Sequence, residues 1–95
     1  MSYKSRFQNK DINELFEAIL SLKNEEECYR FFEDICIVNE INAIAQRLQV
    51  AKLLSEKKTY TEIEKQTRAS TATISRINKC LNYGADGYKI VLERK

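Results

Sequence analysis

The sequence predicts an all-α protein, and three observations lead to that fold class. The 95-residue chain has no proline and only two glycines, Gly84 and Gly87. The residues that mark turns in β-rich folds are therefore missing from its first 83 positions. Apolar residues recur at spacings of three and four over most of the chain, as on one face of a helix. Residues that cap helices precede several of these segments. We expect a single domain over residues 1–95.

The first third of the chain predicts two amphipathic helices. One runs from Asp11 to Leu22, where the apolar residues share one face. The other runs from about Glu25 to Cys36, with Asn24 as its N-cap and Glu27 completing a pair that resembles a capping box. The acidic first turn of this second helix suits the positive end of the helix dipole, which favours a solvated helix start over a metal or partner site.

A third helix, expected from Asn39 to Glu56, is apolar on more than one side. One face carries Ile41, Ile44, Ala45, Leu48 and Ala51, and the apolar surface is widened by Ala43, Val50, Leu53 and Leu54. Such a helix must be buried on several sides, and a chain of this length has few elements to cover it. We therefore expect a homodimer in which the helices of residues 11–56 form the dimer interface. Ordinary packing within one monomer is the alternative.

Residues 59–81 predict a helix-turn-helix. Thr59 and Glu62 fit a capping box that starts a helix of about two turns. A tight break is expected at Arg68 and Ala69, and Ser70 is the expected N-cap of the next helix. In that next helix the apolar residues Ile74, Ile77 and Leu81 fall at spacings of three and four and would face the first helix.

The outward positions of this second helix are small, hydroxylated or basic, which suits a helix that enters the major groove of DNA. Small side chains allow close approach to base edges, and cations and hydroxyls can bind phosphates. The predicted DNA-binding residues are Lys65, Arg68, Ser70, Thr71, Ala72, Thr73, Ser75, Arg76 and Lys79. A plain helical hairpin with solvated polar residues is the alternative reading of the same pattern.

The distribution of charge along the chain also favours DNA binding by its C-terminal part. Residues 59–95 carry seven Lys/Arg and four Asp/Glu, a net charge of +3, whereas residues 1–58 carry nine and ten, a net charge of −1. The C-terminal part is therefore the better candidate to bind a polyanion such as double-stranded DNA.

Other classes of protein find little support in the composition. The three cysteines, Cys28, Cys36 and Cys80, form no C-x-x-C pair, and the chain has no histidine. We therefore expect the cysteines to be reduced and structural, and we expect no metal site. We also expect that the protein is not an enzyme, because histidine, the commonest general base, and any glycine-rich phosphate loop are missing. The polar N-terminus and the lack of an apolar stretch of about 20 residues predict a cytoplasmic protein that does not bind membranes.

Four segments of the chain resemble the Trp repressor superfamily, and most closely its YerC/YecD branch. They are Ala45-Gln46-Arg47-Leu48, Val50-Ala51-Lys52-Leu53-Leu54, Ala69-Ser70-Thr71-Ala72-Thr73-Ile74-Ser75-Arg76 and Cys80-Leu81-Asn82-Tyr83-Gly84. The resemblance extends from about Leu15 to Leu92. It implies a six-helix, intertwined homodimer that represses transcription from a palindromic operator. It also implies a last helix from about Asp86 to Glu93, which joins the dimer core through Tyr88, Val91 and Leu92.

Three positions depart from the pattern of that superfamily. Arg68 stands where such turns usually carry glycine, and Glu64 would repel passing phosphates. Arg76 matches an arginine near the indole in the tryptophan-sensing member, but Ile77 replaces the glycine that follows it there, and Arg47 is only an approximate counterpart of a second arginine. We therefore expect no cofactor and no tryptophan co-repressor. The alternative function is a helix-turn-helix dimer that binds another protein, where Glu64 would be tolerated.

Overall fold

The computed structural model describes residues 3–94, and these residues form six α-helices and no strand. The predicted all-α, six-helix fold is confirmed. The helices are α1 (Lys10–Leu20), α2 (Glu25–Ile35), α3 (Val38–Ser55), α4 (Tyr60–Thr67), α5 (Thr71–Tyr83) and α6 (Gly87–Glu93). The chain divides between Ile37 and Val38 into two compact units, with α1 and α2 in the first and the other four helices in the second.

Asparagine side chains start both helices of the first unit. Oδ1 of Asn9 accepts a hydrogen bond from the Ile12 N–H at 2.8 Å, so α1 begins one residue before the predicted start and ends at Leu20, two before the predicted end. Oδ1 of Asn24 accepts from the Glu27 N–H at 2.9 Å, as predicted for α2. The Glu27 carboxylate, however, accepts from the Lys23 N–H at 2.8 Å, so the expected capping box is shifted by one residue.

Neither α1 nor α2 contains a buried residue. Several of their apolar side chains are exposed, with Phe16 55% exposed, Leu20 83% and Ile35 51%, and others are half-buried. Cys28 in α2, expected to be a reduced structural cysteine, is free and exposed, as is Cys80 in α5. These two helices therefore have the apolar faces that the sequence predicted, and no residue of either face is fully buried.

The core of the second unit is built around the C-terminal half of α3. This helix packs against α4, α5 and α6. The buried residues are Val50, Ala51, Leu53, Ile63, Ala69, Ile74 and Ile77. By contrast, the N-terminal half of α3 carries exposed apolar residues, including Ala43, Ile44 and Ala45. The helix is thus covered on several sides only from Val50 onward.

The last helix packs its apolar side chains on this core. Tyr88 and Leu92 are half-buried against it, whereas Val91 is 48% exposed. Burial raises the pKa of the Tyr88 hydroxyl, and Cys80 adds to the rise while Arg47 opposes it. No helix within residues 3–94 has the length and apolar composition needed to cross a membrane.

Candidate nucleic-acid interface

The predicted capping box at the start of α4, the first helix of the helix-turn-helix, is confirmed. Oγ1 of Thr59 accepts a hydrogen bond from the Glu62 N–H at 3.2 Å, and the Glu62 carboxylate accepts from the Thr59 N–H at 3.2 Å and from its hydroxyl at 3.1 Å. The pKa of Glu62 lies below its ordinary value, because its carboxylate accepts these two hydrogen bonds. The bond from the Thr59 N–H has the larger effect, and the bond from the Thr59 hydroxyl adds to it. These contacts satisfy N–H groups that the first turn of a helix otherwise leaves without partners.

A tight turn joins α4 to α5 at Arg68. Its backbone is left-handed, with φ 61° and ψ 15°, a conformation that glycine adopts most easily. Ala69, next in the chain, is buried. At the end of α4, the Thr67 hydroxyl donates to the Ile63 carbonyl at 2.8 Å and accepts from the Ala69 N–H at 3.2 Å. The turn is therefore held by Thr67 and Ala69, although Arg68 is strained.

A hydrogen bond from Gln46 connects this turn to α3, a role that the sequence analysis did not predict. Its side-chain amide, partly buried, donates to the Thr67 carbonyl at 3.0 Å. That carbonyl lies at the C-terminus of α4, where backbone acceptors lack partners within the helix. A glutamine within the apolar surface of α3 was the available signal, because a partly buried amide requires a hydrogen-bond partner.

Ser70 caps α5, as predicted. Its hydroxyl accepts from the Thr73 N–H at 3.1 Å and lies 3.0 Å from the Thr73 hydroxyl, to which it donates. On the inner face Ile74 and Ile77 are buried, and Leu81 is half-buried against the same core. Helix α5 therefore has the fixed inner face that a helix-turn-helix requires.

The opposite side of α5 is fully accessible. Ala72, Ser75, Arg76 and Lys79 are exposed and share one side of the helix, because 75 and 76 lie three and four positions after 72, and 79 lies four and three positions after them; we call these four residues the outer face of α5. Tyr83, one turn beyond Lys79, continues this stripe with 86% exposure and was not among the predicted residues. The cations of the outer face make no ion pair within the described part of the chain.

The remaining predicted site residues divide into two groups. Lys65, Arg68 and Thr71 are exposed around the turn and the start of α5. Ser70 and Thr73 use their hydroxyls in the N-cap, and Thr73 is half-buried. The cap thus engages two of the hydroxyls that the sequence analysis assigned to DNA.

Glu64 contacts the start of α5. Its Oε1 accepts a hydrogen bond from the Thr71 hydroxyl at 3.0 Å, although the two residues belong to different helices. This bond brings an exposed carboxylate to the first residue of α5.

An open groove of about 690 Å³ lies beside the turn, between α3 and the end of α4. Its polar lining consists chiefly of side-chain amides, with Thr67 and Arg68 at one end; the amides are those of Asn39, Asn42, Gln46, Gln49 and Gln66. Residues 3–94 contain no group of three or more His, Cys, Asp or Glu side chains placed to bind a metal ion.

The helix-turn-helix geometry agrees with the comparison to known proteins. The family model for Trp repressor protein matches residues 10–95. The chain belongs to the Trp repressor family. Members of this family are helix-turn-helix DNA-binding regulators rather than enzymes. The match includes all six helices, so the family assignment applies to the elements described above.

Three relatives from this family show how far the similarity extends. The uncharacterized protein YerC of Bacillus subtilis is 56% identical over 89 residues, which cover 94% of this chain and 86% of YerC. A candidate Trp repressor from Staphylococcus aureus has a crystal structure with a TM-score of 0.89 and 50% identity, covering 94% of this chain and 89% of that one. A TrpR-like protein from Eubacterium eligens gives a TM-score of 0.90 and 54% identity, covering 94% and 92%.

Proposed function

We propose that this protein is a transcriptional repressor that binds a palindromic operator as a homodimer. The outer face of α5 carries the proposal, because it presents small residues next to cations that form no ion pair within residues 3–94, on a helix whose other side is buried. A helix with this division can place its N-terminal part against base edges while its cations contact phosphates. The DNA partner also implies a cytoplasmic location.

The four residues of the outer face would make different contacts with DNA. Ala72 and Ser75 are small enough for base edges to approach the helix closely. Arg76 and Lys79 supply positive charge, with Arg76 able to bind either a phosphate or the O6 and N7 atoms of guanine. Lys65 precedes the turn and Arg68 lies in it, and both would bind the DNA backbone on that side. We therefore expect affinity to fall steeply with salt.

The uncovered faces of α1 and α2 support the homodimer. Neither helix has a buried residue in the single chain, and Ile44 near the start of α3 is 52% exposed. Apolar stripes of amphipathic helices require a partner surface. A second copy of the chain brings an equivalent set of stripes, and a two-fold dimer would hold its two α5 helices about one DNA turn, roughly 34 Å, apart.

The decisive experiment is selection of DNA fragments from a sheared genome by the purified protein at near-physiological salt. We expect one recurring palindromic sequence, and we expect Arg76→Ala to bind it at least about tenfold more weakly with a smaller salt slope. Lys4→Ala is the matched control, because it also removes one positive charge, from an exposed lysine that precedes α1. Equal binding of all sequences by the wild-type protein would contradict the proposal and favour a protein partner.

We also propose that tryptophan is not the effector of this regulator. Ile77 is only 3% exposed and is part of the core of the second unit, and its branched side chain leaves little space for an indole. We expect added tryptophan to leave operator affinity unchanged in a fluorescence titration. A tryptophan-dependent rise in affinity would refute this part of the proposal.

A further inference from the structure

Glu64 is an exposed acidic residue on the surface that is proposed to bind DNA phosphates. Only Glu62 and Glu64 are acidic between Thr59 and Tyr83, and Glu62 is held in the capping box of α4. Glu64 has no such task within α4, and no ion pair neutralises it in the part of the chain that the structure describes. A carboxylate near the DNA backbone repels it, so its place on this surface needs an explanation.

The hydrogen bond to Thr71 places this carboxylate at the N-terminus of α5. Thr71 is the first residue of α5, and its hydroxyl donates to Oε1 of Glu64 at 3.0 Å. In a helix-turn-helix the N-terminal residues of the second helix contact base edges. The bond also restrains a side chain that is otherwise exposed, so less rotamer freedom is lost when the carboxylate meets a base.

The chemistry of the carboxylate limits which base it can bind. An ionised carboxylate only accepts hydrogen bonds, and Thr71 uses one of its oxygens, which leaves Oε2 and further lone pairs available. In the major groove cytosine presents only a donor, its N4 amino group, whereas adenine presents its N6 amino group beside the acceptor N7, and guanine presents the acceptors N7 and O6. The acceptor N7 repels a second carboxylate oxygen, so cytosine is favoured over adenine. Glu64 would therefore attract cytosine and repel guanine and phosphate.

We propose that Glu64 determines part of the operator sequence by accepting a hydrogen bond from a cytosine amino group, in an orientation fixed by Thr71. The inference rests on the proposed DNA-binding function and deepens it. Lys65, Arg68, Arg76 and Lys79 provide general attraction to DNA, and Glu64 makes that attraction dependent on sequence.

The test is DNA selection with Glu64→Gln beside the wild-type protein. Glutamine keeps the shape of the side chain and an oxygen for Thr71, but it pairs best with adenine. We expect the variant to lose a cytosine preference at one symmetric pair of operator positions and to gain adenine there. We also expect its affinity for the wild-type operator to fall about tenfold or more. Glu56→Gln is the matched control, because Glu56 is an exposed glutamate after α3.

Other outcomes would overturn the proposal. If Glu64→Gln binds every sequence more tightly by one factor, the carboxylate only repels phosphates. If the variant unfolds at a lower temperature but keeps the same base preference, Glu64 only stabilises the start of α5. If the wild-type protein itself selects no sequence, the proposed function fails and this inference fails with it, whereas a wild-type operator with an unchanged preference in the variant refutes the Glu64 inference alone.

Discussion

Arg68 combines an unfavourable backbone conformation with a charge that the proposed function uses. Its φ of 61° is in the left-handed region, where a side chain costs about 1 kcal/mol relative to glycine. We expect Arg68→Gly to raise the free energy of unfolding by about that amount while it weakens DNA binding. Chemical denaturation and a DNA titration on the same sample measure the two effects.

Lys57 provides the control for this substitution. It has the same charge and a φ of 67°, but it follows α3 and lies outside the helix-turn-helix. Lys57→Gly should give a similar gain in stability with a much smaller loss of DNA affinity. Equal losses of affinity in the two variants would mean that Arg68 contributes only to the overall charge of the protein.

At the scale of single residues the sequence was informative wherever a signal acts over a few positions. The Thr59 and Glu62 capping box and the Ser70 cap each involve residues within three positions of one another, so residue types alone predicted them. Residue types also predicted a tight break at Arg68, but its strain was expected only from the family resemblance. The bonds from Gln46 to Thr67 and from Thr71 to Glu64 span 21 and 7 positions. They depend on how helices cross, which residue types do not specify.

At the scale of the helices, the start of α4 should respond to pH. Hydrogen bonds from Thr59 lower the pKa of Glu62 below its ordinary value of 4.5, so the ionised form is favoured in the folded protein. This contribution to stability is fully present above the ordinary pKa, and it is lost as pH falls through the lowered one. We expect the free energy of unfolding to fall with pH below about 4.5, and to do so less in Glu62→Gln than in the wild type.

The comparison for this pH series is Glu56→Gln, which removes one carboxylate outside any capping box. Denaturant unfolding at several acidic pH values provides the measurement. Identical pH profiles for Glu62→Gln and the wild type would show that the capping box contributes nothing to the pH dependence of stability.

The bond between Gln46 and Thr67 should set the position of the helix-turn-helix relative to α3. In Gln46→Met the side chain keeps its length but loses the donor, which leaves the Thr67 carbonyl without this partner. We expect a loss of stability of about 1 kcal/mol and a weaker operator complex, because α4 is no longer fastened at its C-terminus. Gln49→Met tests a neighbouring exposed glutamine on the same helix. If both variants bind the operator like the wild type, the bond does not position the motif.

At the scale of the whole molecule, the exposed apolar faces should bring two chains together. We expect sedimentation to give twice the chain mass of 11.1 kDa. Ile44→Glu places a charge on the uncovered half of α3, where Ile44 is 52% exposed, and it should shift the protein toward monomers and reduce operator affinity together. Gln8→Glu adds the same charge at an exposed position before α1. A wild-type monomer, or an Ile44→Glu dimer, would contradict this interface.

The sequence indicated the need for a partner but not how the partner binds. The width of the apolar surface on α3 was readable from residue types, and the exposed N-terminal half of that helix is consistent with it. The lack of any buried residue in α1 and α2 was not readable, because their periodicity is the same as that of helices packed within one chain. Periodicity tells which face is apolar and leaves open which molecule covers it.

Because α1 and α2 contain no fully buried residue, the stability of the fold should depend on the protein concentration. If a second chain supplies their missing contacts, mass action makes the unfolding midpoint rise with protein concentration. Occupancy of the operator then follows the square of the free-chain concentration while monomers predominate. A modest rise in synthesis would then produce a more than proportional rise in repression. Through dimerisation, the exposed apolar residues of α1 and α2 would make repression depend steeply on the concentration of the protein.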